Sequence, residues 1–287
     1  MSSSRGAKPQ PVGNSVLAAL PPRTYRDLLS GLQPVALVFG DVLYEPGEPI
    51  RDVYFPTDGV VSLLTLVEGR LALEVGLVGR EGMVGVALAL GIGVSPIRAL
   101  VQGGGTALRM SAARFRKELR RSAPLQRELH RYTHSLMAQI TQTAACNRFH
   151  RVPARLARWL LMTRDRVRSD RFYLTHEFLS HMLGVRRVGV TEAASALQRR
   201  KLIAYRRGNI TILDHGGLET ASCECYAIVK HMRDGKHKAR SAAVMMALEP
   251  PNPSLCGIVD SYSIVKFRSG SSILCSRQYS MKRTANA

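Results

Sequence analysis

Acidic residues are scarce in this chain: 21 Asp and Glu stand against 41 Lys and Arg, a formal charge of +20. That imbalance disfavours an ordinary neutral metabolic enzyme and favours a polyanionic partner, either nucleic acid or an anionic membrane. Long apolar runs are missing too. The longest, Met83 to Val94, covers 12 residues and includes three glycines, whereas a spanning helix needs about 20. We therefore expect no membrane-embedded segment and no membrane partner. The opening residues, MSSSRGAKPQPVGN, have no apolar stretch behind their charges, so no secretory leader is expected. Cysteine is sparse, five in all with no framework spacing, which fits a reducing cytoplasm. Phosphate-loop and nucleophile-elbow motifs are missing, as are carboxylate pairs at metal spacing in the basic half. No catalytic residue can be named, and the chain is not expected to be an enzyme.

The charge that is present is unevenly placed. Residues 14–117 carry 10 Lys/Arg and 9 Asp/Glu, while residues 148–229 carry 15 and 7. A nearly neutral half followed by a basic half suggests a sensing domain joined to one that meets the polyanion. Residues 1–13 are Ser, Gly, Pro and Lys with little apolar content, and read as a disordered arm. From Val35 to Met110, short β-rich runs such as VVSLLTLV and LALEVGLV alternate with turn signals such as Glu45-Pro46-Gly47. That texture predicts an antiparallel sandwich or barrel. A helical pattern starting at Ser111 breaks at Pro124. The longest helical segment follows, with Leu125, Leu129, Tyr132, Leu136, Ile140 and Ala144 at steps of three or four. No neighbouring helix in sequence is long enough to cover this stripe, so we expect Leu125, Leu129, Tyr132, Leu136 and Ile140 to pair with a second copy of the chain. The organisation expected is an arm at 1–13, a sensor at 14–117, a dimerisation helix at 118–147, a DNA-binding domain at 148–229 and a disordered basic tail at 230–287.

The most specific signal lies between Leu174 and Asp214. Thr175 can cap a helix whose Phe178, Leu179 and Met182 face inward, and Leu183-Gly184-Val185 makes a tight turn. A second helix runs from about Arg186 to Arg200 with Val190, Ala194 and Leu197 as its buried stripe. Two short helices around a glycine turn are a helix-turn-helix, whose second helix reads the major groove from its first turn. Arg187 is the first candidate for a bidentate guanine contact, Val188 for a thymine methyl and Glu192 for cytosine. Thr175, Arg186 and Thr191 complete the DNA-facing set on the helices. LIAYRRG and NITILD then form a hairpin wing, with Arg206 and Arg207 at its tip placed for phosphate.

The run CNRFHRVPARLARWLLMTRDRV, then LTHEFLSHMLGVRRVGVTEAASALQRRKLIAYRRGNITILD and ASCECY, resembles one subgroup of the Crp/Fnr family of bacterial transcription regulators. Upstream, GDVLYEPGEPIRDVYFPTDGVVSLL and VGLVGREGMVG resemble that family's sensor domain. The resemblance covers about residues 14–229. It implies an α+β fold: an N-terminal cyclic-nucleotide-binding-like β-roll (jelly roll), a long dimerisation helix and a C-terminal winged helix-turn-helix. It further implies a homodimer on a near-palindromic double-stranded DNA operator, acting with RNA polymerase.

In family members that bind cyclic nucleotides, a glycine-rich loop and a Glu hold the ribose, and an Arg holds the phosphate. The matching stretch here is Gly82-Met83-Val84-Gly85-Val86. Val86 stands where the Glu would be, and the Arg position falls near Ile97. Arg98 is one residue off, on the opposite strand face. These residues are the pocket candidates, but cyclic AMP is not favoured and no cofactor is expected. Iron–sulfur sensing needs clustered cysteines, yet the first cysteine is Cys146. Cys223 and Cys225 offer two donors, too few to close a zinc site. His130 and His134 lie one turn apart without a third ligand. No metal site is expected.

Overall fold

The computed structural model describes residues 13–67 and 71–233. The expected arm, apart from Gly13, and the tail beyond Arg233 lie outside the described residues.

Two short helices, α1 (Ser15–Ala18) and α2 (Pro22–Leu29), lead into seven strands. These are β1 (Gln33–Leu37), β2 (Val42–Tyr44), β3 (Asp52–Pro56), β4 (Val60–Val67), β5 (Leu71–Val78), β6 (Arg98–Gly103) and β7 (Gly105–Ser111). They form two antiparallel sheets, in the orders β1-β7-β3 and β2-β6-β4-β5. Alternation sends Leu37, Val53, Phe55 and Met110 of the first sheet towards Tyr44, Val61, Leu63 and Val101 of the second, in one enclosed core. Buried Asn14 fastens the chain's start to this roll. Its amide donates to Pro56 O at 2.9 Å and to Gly82 O at 2.8 Å, while its oxygen caps α1.

The middle of β4 is buried on both faces, the arrangement that favours an almost unbroken apolar run. Val61 and Leu63 face the roll. Val60 and Leu64 face outward into a second core that they share with Leu77, Leu156, Trp159 and Leu160. Ser62 is the polar exception. Its hydroxyl lies 2.7 Å from Glu74 Oε2 and also meets Gln102 Oε1, while Trp159 Nε1 donates to Glu74 Oε1 at 2.8 Å. The sole tryptophan thus fills the core and satisfies a buried carboxyl.

Helix α3 (Ala112–Arg121) stops at Ser122, whose hydroxyl caps the 27-residue α4 (Ala123–Phe149), with Pro124 tolerated in its first turn. The apolar stripe on α4, expected to pair with a second copy, is instead covered by its own chain. Leu125 and Leu129 are fully buried, Tyr132 and Leu136 nearly so, and Ile140 is half-buried, all against their own chain's roll. An apolar stripe reports that a face is covered, not what covers it, and here the cover comes from strands far away in sequence. Tyr132 donates to Met83 O at 3.0 Å. Gln139 exchanges two hydrogen bonds of 3.1 Å with the Leu77 backbone, as a neighbouring strand would. The face left exposed carries Arg131, His134, Met137, Thr141, Ala144, Ala145 and Arg148.

Beyond α5 (Val152–Val167) come β8 (Arg171–Tyr173), α6 (His176–Leu183), α7 (Arg187–Arg199), β9 (Ile203–Arg206), β10 (Asn209–Ile212), α8 (His215–Ala221) and α9 (Cys225–Arg233). The last helix outruns the boundary expected at 229. Lys230 Nζ meets Glu219 at 3.1 Å and Arg233 Nη1 meets Asp165 at 3.0 Å, so its final turn is tied down.

Candidate nucleic-acid interface

Thr175 Oγ1 accepts from Phe178 N at 3.1 Å and so starts α6, as expected for a capping threonine. Gly184 ends the helix at φ +60°, and a Cβ there would stand 2.6 Å from Leu73 Cδ1. The turn calls for glycine through its left-handed backbone, while the Leu73 side chain is the part that would have to give way to a Cβ. Arg186 then takes the extended conformation that precedes α7. Val190, Ala193, Ala194 and Leu197 bury one face of α7 against α5 and the wing. The other face presents Arg186, Arg187, Val188, Thr191 and Glu192 to solvent, with Val188 60% exposed. An exposed valine next to Arg187 is suited to an apolar group such as a thymine methyl.

The wing is a three-stranded antiparallel sheet in the order β8-β10-β9. Arg206 pairs with Asn209 across a two-residue turn, in which Arg207 has φ +50° and Gly208 φ +84°. Positive φ at both central positions is the hairpin geometry that matches strand twist. Arg206 and Arg207 are both exposed at this turn.

Two features escaped sequence reasoning. β8 is only three residues long, below what alternation can signal. His176 stacks on Tyr205 with ring centroids 4.3 Å apart, and its Nδ1 lies 2.9 Å from Thr191 Oγ1. Burial, and then the charge of Arg187, hold the imidazole below its ordinary pKa. One neutral ring thereby ties α6, α7 and the wing together. Thr191 Oγ1 also donates to Arg187 O at 3.1 Å, so its hydroxyl is engaged within the protein.

Residues 154–221 match the Crp-like helix-turn-helix domain. Beyond that domain, the fold of the chain is that of solved Crp/Fnr-family regulators. Among solved structures it is similar to a Crp/Fnr-family transcriptional regulator from Eubacterium rectale, with TM-score 0.58 and 16% identity over 70% of this chain and 94% of that one. A CRP/FNR-family regulator from Thermus thermophilus gives 0.56 and 22% over 66% and 98%. The c-di-GMP-responsive global regulator CLP of Xanthomonas campestris gives 0.56 and 17% over 66% and 98%. Among curated proteins, none matches this chain.

In the sheet domain the loop expected to cradle a ligand is knitted into the core. Met83 and Val84 are buried, Val84 N donates to Tyr54 O at 2.8 Å, and Gly82 N donates to Gly79 O at 3.1 Å. Gly82 lies under the Tyr132 ring so closely that a Cβ would stand 2.1 Å from Cε2. Gly85, at φ +94°, precedes a short 3₁₀ turn that begins at half-buried Val86. Arg98 is engaged by a carboxylate. It pairs with Glu45 at 2.9 Å, both side chains about one-third exposed.

Proposed function

We propose that this chain is a sequence-specific, DNA-binding transcription regulator that acts as a homodimer on a near-palindromic operator in the cytoplasm. The observation that carries the reading is the first turn of α7. Arg186, Arg187 and Val188 are all exposed there, beside a wing whose turn adds Arg206 and Arg207. Such a helix fits the major groove, with the wing arginines on the backbone. Two-fold pairing falls to the uncovered face of α4, where Met137, Thr141, Ala144 and Ala145 offer small and apolar contacts. Each protomer would then read one half-site, the two lying about one helical turn apart.

The signal is not cyclic AMP in this reading. Donors that would hold a cyclic phosphate are already used: the Val84 amide by Tyr54, and Arg98 by Glu45. RNA polymerase is the partner through which a bound regulator of this type would act. Selection of bound sequences from a random DNA pool tests the reading, with a two-fold-symmetric motif as the expected product. Recovery of unrelated sequences at equal affinity would reduce the chain to a non-specific polyanion binder. Calorimetry with cyclic AMP should show no saturable heat, and micromolar binding would overturn the assignment of the sensor loop.

A further inference from the structure

Two donors in the sequence become four in space. The last turn of α4 supplies Cys146, and the residue after that helix is His150; the i, i+4 spacing puts both on one side of the helix end. The loop before α9 supplies Cys223, and Cys225 opens the helix itself. The four donor atoms all lie within 4.8 Å of one another. Cys146 Sγ is 3.5 Å from Cys223 Sγ, and Cys225 Sγ is 3.4 Å from His150 Nδ1. We propose that Cys146, His150, Cys223 and Cys225 bind one zinc ion as a closed Cys₃His site, clamping the end of the long helix to the last helix of the winged domain.

Three arguments favour zinc over other uses of these residues. The first is geometric. Zinc bonds of about 2.3 Å to sulfur and 2.0 Å to nitrogen give tetrahedron edges of roughly 3.5–3.8 Å, close to both contacts above. A disulfide needs its sulfurs at about 2.05 Å, and it would leave Cys225 and His150 without a role. An iron–sulfur cluster places several irons between its thiolates and holds them farther apart than this. The second is the orientation of the imidazole. His150 Nε2 is 3.2 Å from Glu224 Oε1 while Nδ1 faces the sulfurs. A carboxylate on the far nitrogen is the support a metal-bound histidine commonly has. The third is setting. All three sulfurs are buried, Gln142 Nε2 donates to Cys225 Sγ at 3.0 Å, and Cys225 sits at a helix N-terminus, where thiolate charge is favoured. Apolar filling alone would not call for an imidazole and an amide aimed at thiols.

Four protein ligands leave no position for substrate, so the site is structural. Its consequence is positional. The ligands come from segments more than 70 residues apart, and metal binding adds directly to the stability of that junction.

The test uses the full chain, purified under reducing conditions without chelator, with metal counted by mass spectrometry. One zinc per chain is expected. Cys256 and Cys275 lie outside the described residues, and Cys256→Ser with Cys275→Ser should retain the metal. Cys223→Ser with Cys225→Ser should lose it. His150→Ala should lose it and His150→Cys should keep it, a rescue that a packing role would not produce. Glu224→Gln should weaken zinc about 10- to 100-fold in chelator competition. Because ligand variants can misfold, Co²⁺ added to the chelator-treated wild-type chain gives an independent reading. The strong visible bands of a tetrahedral thiolate site are expected. A reduced wild-type chain that takes up neither zinc nor Co²⁺ overturns the proposal. So does metal retained in the Cys223/Cys225 double variant, or iron with sulfide in place of zinc after anaerobic purification. None of these outcomes depends on whether the winged domain reads DNA.

Discussion

At the scale of the residue, position within the interface separates arginines of identical chemistry. Arg187 opens α7, where in the proposed complex a side chain would reach base edges, whereas Arg206 sits at the wing turn beside the expected path of the backbone. Base contacts discriminate and phosphate contacts only position. Arg187→Ala should therefore lose about 1–3 kcal/mol on the best site and little on random DNA. Arg206→Ala should weaken every sequence alike and lower the salt slope by about one unit for each phosphate that the arginine neutralises. Gel shifts at several salt concentrations distinguish the two, and a reversal of these signatures would mean that helix and wing exchange roles. Glu74 carries a second residue-scale prediction. Burial raises its carboxyl from an ordinary value near 4.5 to about 7, although hydrogen bonds from Ser62 and Trp159 and the charges of Arg158 and Arg166 pull the other way. A proton on Glu74 also completes the network, since Ser62 has a single hydrogen for two acceptors. Between pH about 4.5 and 7 the folded chain then holds a proton that the unfolded chain has released, so stability falls as pH rises through that window and levels off above it. Glu74→Gln should flatten this part of the curve of melting temperature against pH. A difference between about pH 5 and pH 8 that persists in the variant would show that other groups set the slope.

At the scale of the element, α4 shows how a helix can serve two surfaces. Its apolar stripe closes the roll, and its opposite face is open to a partner. Leu129→Ala should cost about 2–5 kcal/mol of stability, as truncation of a fully buried leucine does, while leaving the chain dimeric wherever it remains folded. Thr141→Glu with Ala145→Glu should do the reverse, giving folded monomers by light scattering and weak operator binding. Monomers from the leucine variant alone would restore the stripe to the dimer interface. The same element marks how much could be read in advance. The break expected at Pro124 falls at Ser122 and the helix expected at 118–147 runs Ala123–Phe149, whereas the inward stripe of α7 follows from local spacing, as do Thr175 as a cap and Gly184 as a turn. What covers the α4 stripe does not, because the strands that meet it lie far off in sequence: Tyr132 reaches Met83, and Gln139 reaches Leu77. The Cys146–His150–Cys223–Cys225 cluster was hidden for the same reason. Cys-x₃-His at a helix end and Cys-x-Cys before a helix are each half a site, and only the packing of α4 on α9 joins them.

At the scale of the whole molecule, the sheet and the winged domain share one apolar core. Val60, Leu64 and Leu77 of the roll lie with Leu156, Trp159 and Leu160 of α5, and Leu183 and Leu197 of the helix-turn-helix complete the cluster. Polar ties cross the same junction. Arg166 meets Glu81 at 2.7 Å, Gln102 Nε2 donates to Thr163 at 3.2 Å, and Trp159 donates to Glu74. A chain with a neutral half and a basic half invites a picture of two independently folding parts, but a shared core makes each depend on the other for burial. Trp159 is the only tryptophan and stands at this junction, so its fluorescence reports the junction while far-ultraviolet circular dichroism reports the whole chain. In urea the two signals should change together, with one midpoint and one slope. Leu77→Ala should move both midpoints down by the same amount, although Leu77 lies in the roll and the tryptophan in the winged half. Separate midpoints, or a Leu77→Ala effect confined to one probe, would show that the two halves unfold independently.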